Sequence, residues 1–574
     1  MNKASRRQLP SSTSSGADAQ MPSSEVNSLT DGFADSYAGV RNLDSPVTAV
    51  GDDDERAEST GHKDRTRIDV RTLALGLGIF ALAALPRLFV LFFVTDLDNP
   101  GVGWYGDSFH HWQIGYLSKE IGFSQGFLRL WDFKGLEYFW GLLHPLALAI
   151  LFTVTGSNEI LIPRLLSLVS ASVAVVFLFF VLRRYFNIHV ALAGALLAAI
   201  NPVAVFADTA GLPGPLATML MMLGLVLWPR KPAWAGVAVG IAGMARAEYW
   251  LFGAGLVVLS WFAKEKEERR FAITFGWLIP TIAYMIYMNS HTGNAIYPVY
   301  WNFMANAAGT WTGETPFTVD APFNTAELIV RWTSRLTLLA TLSVTAWVLR
   351  NKPKSYLLIL YGVGNIAFLC LYWGFGEQVR GWGERGIYDR IFIVPYMYIG
   401  ILVAVVLLQR RSGHRPALPR LVLGWTGILL IGLLAQAAWG PILRFYEGPK
   451  NVWETEKQLA SDIASAYRAG TIAIPEDRMS LTYLLATKHG ISAQNLQGQM
   501  YDPFFYFEEG DPFANWSNNR ESVADWFSRH DIQLLVFYEW KLNYQEMIQK
   551  EPGWFRHVDT VLGGQIEIYE VVGS

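Results

Sequence analysis

Long apolar runs separated by short basic clusters set the pattern of this chain. Runs of roughly 15 to 23 mostly apolar residues, near the length a helix needs to cross about 30 Å of hydrocarbon, recur at 72–94, 163–182, 188–207, 214–228, 233–246, 249–263, 271–288, 334–349, 355–373, 387–408 and 420–439. They predict about eleven transmembrane helices. Residues 1–66 are rich in Ser, Gly, Asp and Glu with few large apolar side chains, which predicts a disordered tail. Beyond about 440 helical patterns alternate with short β-rich runs at 471–475 and 532–538, and "GGQIEIYEVV" reads as a closing strand. The expected fold is an all-α polytopic membrane domain over 67–440 followed by a soluble α/β domain over 441–574.

The cations orient these runs. Arg65, Arg67 and Arg71, then Arg183 and Arg184, Arg230 and Lys231, "KEKEERR" at 264–270, Arg350, Lys352 and Lys354, and "QRRSGHRPALPR" at 409–420 all fall between apolar segments. The positive-inside rule assigns them to the cytoplasm. The parity closes if "YFWGLLHPLALAILFTVTG" (138–156), interrupted by His144-Pro145, lies along the outer interface instead of crossing. The N-terminal tail is then cytoplasmic, a first extracytoplasmic loop covers 95–162, and the C-terminal domain is extracytoplasmic.

Composition narrows the class. With 52% hydrophobic and only 17% charged residues in 574, the chain exceeds what a soluble core hides. A formal net charge of -3 excludes a nucleic-acid partner of the ordinary basic kind. The one cysteine, Cys370, permits neither an intramolecular disulfide nor a Cys-based zinc site.

The chemistry-bearing residues gather at one level. Asp107, Asp208, Arg246, Glu248 and Arg390 all sit at the expected outer ends of helices, where ionisable groups pair or line a polar cavity. Carboxylates mixed with arginines suit an anionic phosphate ligand and an acid/base step. His110 and His111 would supply a proton or a metal ligand, or else one packs against aromatics while the other is wet. The aromatic and acidic stretch "MYDPFFYFEEGDPFANW" (500–516) would meet an acceptor or pack as an ordinary loop.

In order, these segments resemble the membrane-integral glycosyltransferases of the C superfamily, particularly the protein O-mannosyltransferase and aminoarabinose-transferase branch. "GDSFHHWQIGYL" and "LLHPLALAI" resemble the acidic first-loop site and the His-Pro-Pro-Leu segment, with Ser108 after the aspartate and one proline missing. "IPRLLSLVSASVAVVFLFFVLRRYF" is similar to the helix that opens on an arginine and ends in a basic pair, and "AINPVAVFADTAGLPGPLATML" to the proline-containing helix before a second acidic site. "GMARAEYWLFGAGL" resembles the Arg-Pro-Glu turn with Ala247 for proline, and "IYDRIFIVPYMYIGILVA" the late arginine helix.

The resemblance, over about 72–440, implies transfer of a sugar from a polyprenyl-phosphate donor in the membrane lipid to a protein, lipid or glycan acceptor, on the extracytoplasmic face and with inversion. It implies Asp107 as general base and Arg390, with Arg246 second, at the donor phosphate. His144 and Tyr105 fall on the acceptor side. Asp208 and Glu248 either bind a divalent cation (Mg, Mn or Zn) or only orient the arginines. The rival class is a secondary transporter or lipid flippase, although no internal repeat is visible and the polar residues cluster at one face. A catalytically dead scaffold of the same fold is a third reading.

Overall fold

The computed structural model describes residues 70–101, 107–122, 141–262, 267–303, 393–409, 418–474, 479–496, 516–539 and 541–573. The predicted spans at 334–349 and 355–373, the N-terminal tail, and most of 500–516 lie outside them. The described residues all belong to one compact unit.

Helix α1 (Val70–Phe89) carries Pro86 in its last turn and runs into a π-helical turn, Val90–Val94. Proline has no N–H to continue the ladder, so carbonyls near it seek other donors. Then come α2 (Asp107–Leu117), α3 (Leu143–Thr155) and α4 (Leu161–Tyr185). The expected single span at 188–207 is broken: α5 (Ile188–Ile200) stops at Asn201, and a short α6 (Pro202–Ala207) restarts. The residue before a proline is pushed to extended backbone, and Asn201 (ψ 115°) caps α6 by accepting from the N–H groups of Val203 and Ala204.

Helices α7 (Gly214–Leu227), α8 (Pro232–Gly243), α9 (Glu248–Phe262) and α10 (Glu267–Thr292) follow, with α11 (Tyr297–Phe303), α12 (Ile393–Leu408) and α13 (Leu418–Ala435) beyond. α8 and α10 meet almost backbone to backbone, because Gly236 and Gly276 leave no room for a Cβ against Ile273 and Ala233. Among the described residues, four stretches are long and apolar enough to cross a membrane: Val70–Val94, Leu161–Tyr185, Glu267–Thr292 and Leu418–Leu443. Several others expected to cross are short helices. α7, at 14 residues, rises only about 21 Å.

The expected domain boundary at 441 falls inside a helix, since α14 runs from Trp439 to Ala466. Beyond it lie β1 (Thr471–Ala473), α15 (Met479–Thr487), α16 (Trp516–Arg529), β2 (Ile532–Tyr538), α17 (Leu542–Lys550), β3 (Phe555–Val561) and β4 (Ile566–Val571). The sheet order is β1-β2-β4-β3, with β1 parallel to β2 and the other pairs antiparallel. Alternation sorts its side chains: Leu534 and Val536 face α14 and α15, whereas Leu535 and Phe537 pack with α16 and α17.

Two cores result. One is rich in alanine and joins α1, α4, α5, α7, α8, α9 and α12. The other is aromatic and joins α2, α3, α14, α15 and one face of the sheet. Asn201→Ala should remove the α6 cap at a cost of about 1 kcal/mol, read as a lower thermal unfolding midpoint of the detergent-solubilised protein.

Candidate active site

The turn between α8 and α9 presents the first pair of candidate residues. Arg246 donates from Nε to both Glu248 carboxylate oxygens (3.1 Å each) and from Nη2 to Oε1 (2.5 Å). Glu248 is the first residue of α9, where the positive helix end also favours a carboxylate. Both side chains remain about one-fifth exposed, 21% and 18%.

Asp208, just after α6, is engaged by a residue that sequence reasoning overlooked. Arg87 of α1 donates from Nε (2.9 Å) and Nη2 (2.7 Å) to Asp208 Oδ2, and from Nη1 to the carbonyls of Ala83 (2.7 Å) and Ala199 (3.1 Å). The pair is almost fully buried, at 1% and 4% exposure. A signal was present: one arginine inside an otherwise apolar span needs a partner at the same depth. Among the described residues Asp208 is therefore paired with Arg87 and not with Arg246.

Asp208, Arg246 and Glu248 line one cleft with Thr218, Tyr249 and the first residues of α12, Ile393 and Val394. The Thr218 and Tyr249 hydroxyls are 2.6 Å apart within it. Asp107 opens α2, and its carboxylate acts electrostatically on the Arg246 guanidinium. The first loop is held from below by Arg164. This fully buried side chain donates to the carbonyls of Asp96 (2.5 Å), Leu97 (2.9 Å) and Thr209 (2.7 Å) and to Thr95 Oγ1 (2.5 Å). Arg390 and Tyr105 lie outside the described residues.

The histidines depart from expectation. His110 and His111 are both buried, so neither is the wet one. His144 is wholly enclosed, its ring edge-on to His111 at 5.2 Å, and no hydrogen bond reaches either nitrogen among the described residues. Enclosure holds its pKa down to about 3, because the imidazolium would lose its hydration there.

Among the described residues no three of His, Cys, Asp and Glu converge, and Arg87 and Arg246 pair with Asp208 and Glu248.

No protein-family model and no curated protein matches the sequence. Solved structures are similar. The archaeal oligosaccharyltransferase AglB from Archaeoglobus fulgidus, in complex with an inhibitory peptide and a dolichol-phosphate, is similar over 88% of this chain and 75% of its own, at 12% identity and a TM-score of 0.46. ArnT from Cupriavidus metallidurans, bound to undecaprenyl phosphate, is similar over 88% of this chain and 98% of its own, at 13% identity and a TM-score of 0.47. This likeness lies in the coarse course of the chain and assigns no residue.

Removing one partner of a buried ion pair strands the other charge, at about 3–5 kcal/mol. Asp208→Leu and Arg87→Met should each destabilise the detergent-solubilised protein by that order, while the double substitution recovers part of the loss in thermal unfolding. His144 generates a pH dependence. The unfolded chain protonates near the ordinary histidine value and the folded chain only near 3, so stability present above pH 6.5 declines as the pH falls towards 3, by up to about 1.4 kcal/mol per unit. His144→Leu should flatten that decline, measured as unfolding midpoints at pH 7 and 5.

Proposed function

We propose that the protein transfers a sugar from a polyprenyl-phosphate donor to a hydroxyl on a protein, lipid or glycan acceptor at the extracytoplasmic face, by direct displacement with inversion. The observation that carries this reading is the single cleft that Asp208 and the Arg246–Glu248 pair line between helices of apolar character.

The chemistry follows from those groups. The acceptor oxygen forms a bond to the anomeric carbon, its proton passes to Asp107, and the polyprenyl phosphate departs with the electrons of the broken C–O bond. Asp107 stands as the first residue of α2. Glu248 occupies the Nε and Nη2 edge of Arg246, and no described residue takes a hydrogen bond from Nη1, which leaves that donor for a phosphate oxygen. A guanidinium fixed this way needs little reorganisation as negative charge builds on the leaving group. Arg390 is a second phosphate ligand in this reading. No step is routed through a metal.

The reading is tested by incubating purified protein with a panel of polyprenyl-phosphate monosaccharides and following release of polyprenyl phosphate. Asp107→Asn should lower turnover by roughly 10² to 10⁴ with donor binding retained. Arg246→Ala should weaken donor binding as well, since a phosphate contact exists before and during the reaction. Near-normal transfer by folded Asp107→Asn would move the base elsewhere. Movement of an intact donor across the bilayer, with no phosphate released, would favour the transporter. For the sidedness, a cysteine near 107 or after 440 should be labelled from outside and one near 266 should not.

A further inference from the structure

Asp107 heads a helix of only 11 residues, too short to hold its direction by its own hydrogen bonds. Its orientation comes from the two faces it buries. On one face His111 meets His144, and at Gly115 an added Cβ would stand 2.7 Å from Leu148 Cβ, so α2 lies tight against α3. The other face, Phe109 and Trp112, meets an aromatic wall contributed by the C-terminal segment. Phe109 stacks on Trp453 of α14 (5.6 Å) and lies 5.4 Å from Tyr483 of α15, while Trp112 meets the Tyr483 ring edge-on at 5.0 Å.

That wall is itself anchored. The Tyr483 hydroxyl donates to Glu159 Oε2 (2.5 Å), and Lys488 pairs with the same oxygen at 3.2 Å. Trp112 Nε1 donates to the neighbouring Asn158 carbonyl at 2.6 Å, so both partners are tied to the α3–α4 connection. The buried Glu456 accepts from Ser480 and joins α14 to α15. Tyr249 and Phe252, which line the cleft beside Arg246, belong instead to the alanine-rich core.

We propose that the C-terminal segment is a positioning clamp for the base, with Trp453 and Tyr483 as positioning residues that set where Asp107 stands relative to the donor. This rests on the reading of Asp107 as base. On the phosphate side Ala245, Tyr249 and Phe252 pack in the alanine-rich core while Met244 and Trp250 touch the aromatic one, so loosening the clamp falls first and most on the proton-accepting side. A displacement of about 1 Å at reacting groups costs on the order of 10²-fold in rate.

The test compares wild type, Trp453→Leu and Trp453→Phe for donor binding, turnover, and hydrogen exchange along 107–117 and 214–227. Trp453→Leu should lower turnover by about 10- to 100-fold, keep donor affinity within about twofold, and speed exchange in 107–117 only. Trp453→Phe, which keeps a ring, should recover most of the rate. In an Asp107→Asn background Trp453→Leu should add little further loss, because the group through which it acts is gone.

Unchanged turnover with unchanged exchange, equal losses of affinity and rate, or fully additive losses would overturn the clamp. If Trp453→Leu does not fold, Tyr483→Phe keeps the ring, removes the hydroxyl that bonds Glu159 and the Ile160 backbone, and should show the same pattern at smaller size; unaltered exchange and turnover there would also overturn it. Wild-type protein inert towards every donor would instead remove the proposed reaction, and the exchange data would then decide the clamp on their own.

Discussion

Charge inside an apolar interior has to be neutralised where it stands, and Arg87 with Asp208 is where this chain meets that demand. A lone guanidinium in the first apolar span is costly on insertion, and pairing removes most of the penalty. The same guanidinium also takes the Ala83 and Ala199 carbonyls, so it joins α1 to the end of α5 as well as to Asp208. The break at Asn201-Pro202 directs the chain through the short α6 to Asp208. Arg164 works in parallel, gathering the carbonyls of residues 96, 97 and 209 around one cation. The loops bordering the cleft are thus held by buried arginines rather than by regular secondary structure.

Division of labour between two cores follows from composition. Alanine and glycine let α8 and α10 approach closely without large side chains. Large aromatic rings fill the wider space between α2 and the C-terminal segment, where edge-to-face and stacked contacts add specific geometry to burial. The C-terminal sheet, with helices on both faces, turns one face towards this aromatic core.

Helix positions were readable because hydropathy is local. The run at 163–182 appears as Leu161–Tyr185, and that at 271–288 as Glu267–Thr292. The strand at 532–538 falls where its β-rich run predicts, with Ile532–Tyr538 as its bounds. Strand β3 was missed because Arg556, His557 and Asp559 disrupt the apolar signal, which an edge strand does not require. The break at Asn201 did carry its Asn-Pro mark, outweighed by the apolar residues on either side. Of the site, Arg246 and Glu248 were legible together because they are two residues apart. Arg87 was not joined to Asp208, because 121 residues separate them.

By itself the sequence determined which segments are apolar enough to leave water, where carboxylates and arginines stand along the chain, and that a β-containing segment closes it. Those properties depend on residue type and neighbours within a few turns. Only the tertiary structure decided which arginine neutralises which carboxylate, that His144 is enclosed, and that α2 lies between α3 and the aromatic wall. Each of these depends on which distant segments share one low-dielectric space, where an unpaired charge is expensive and an enclosed ring loses its hydration.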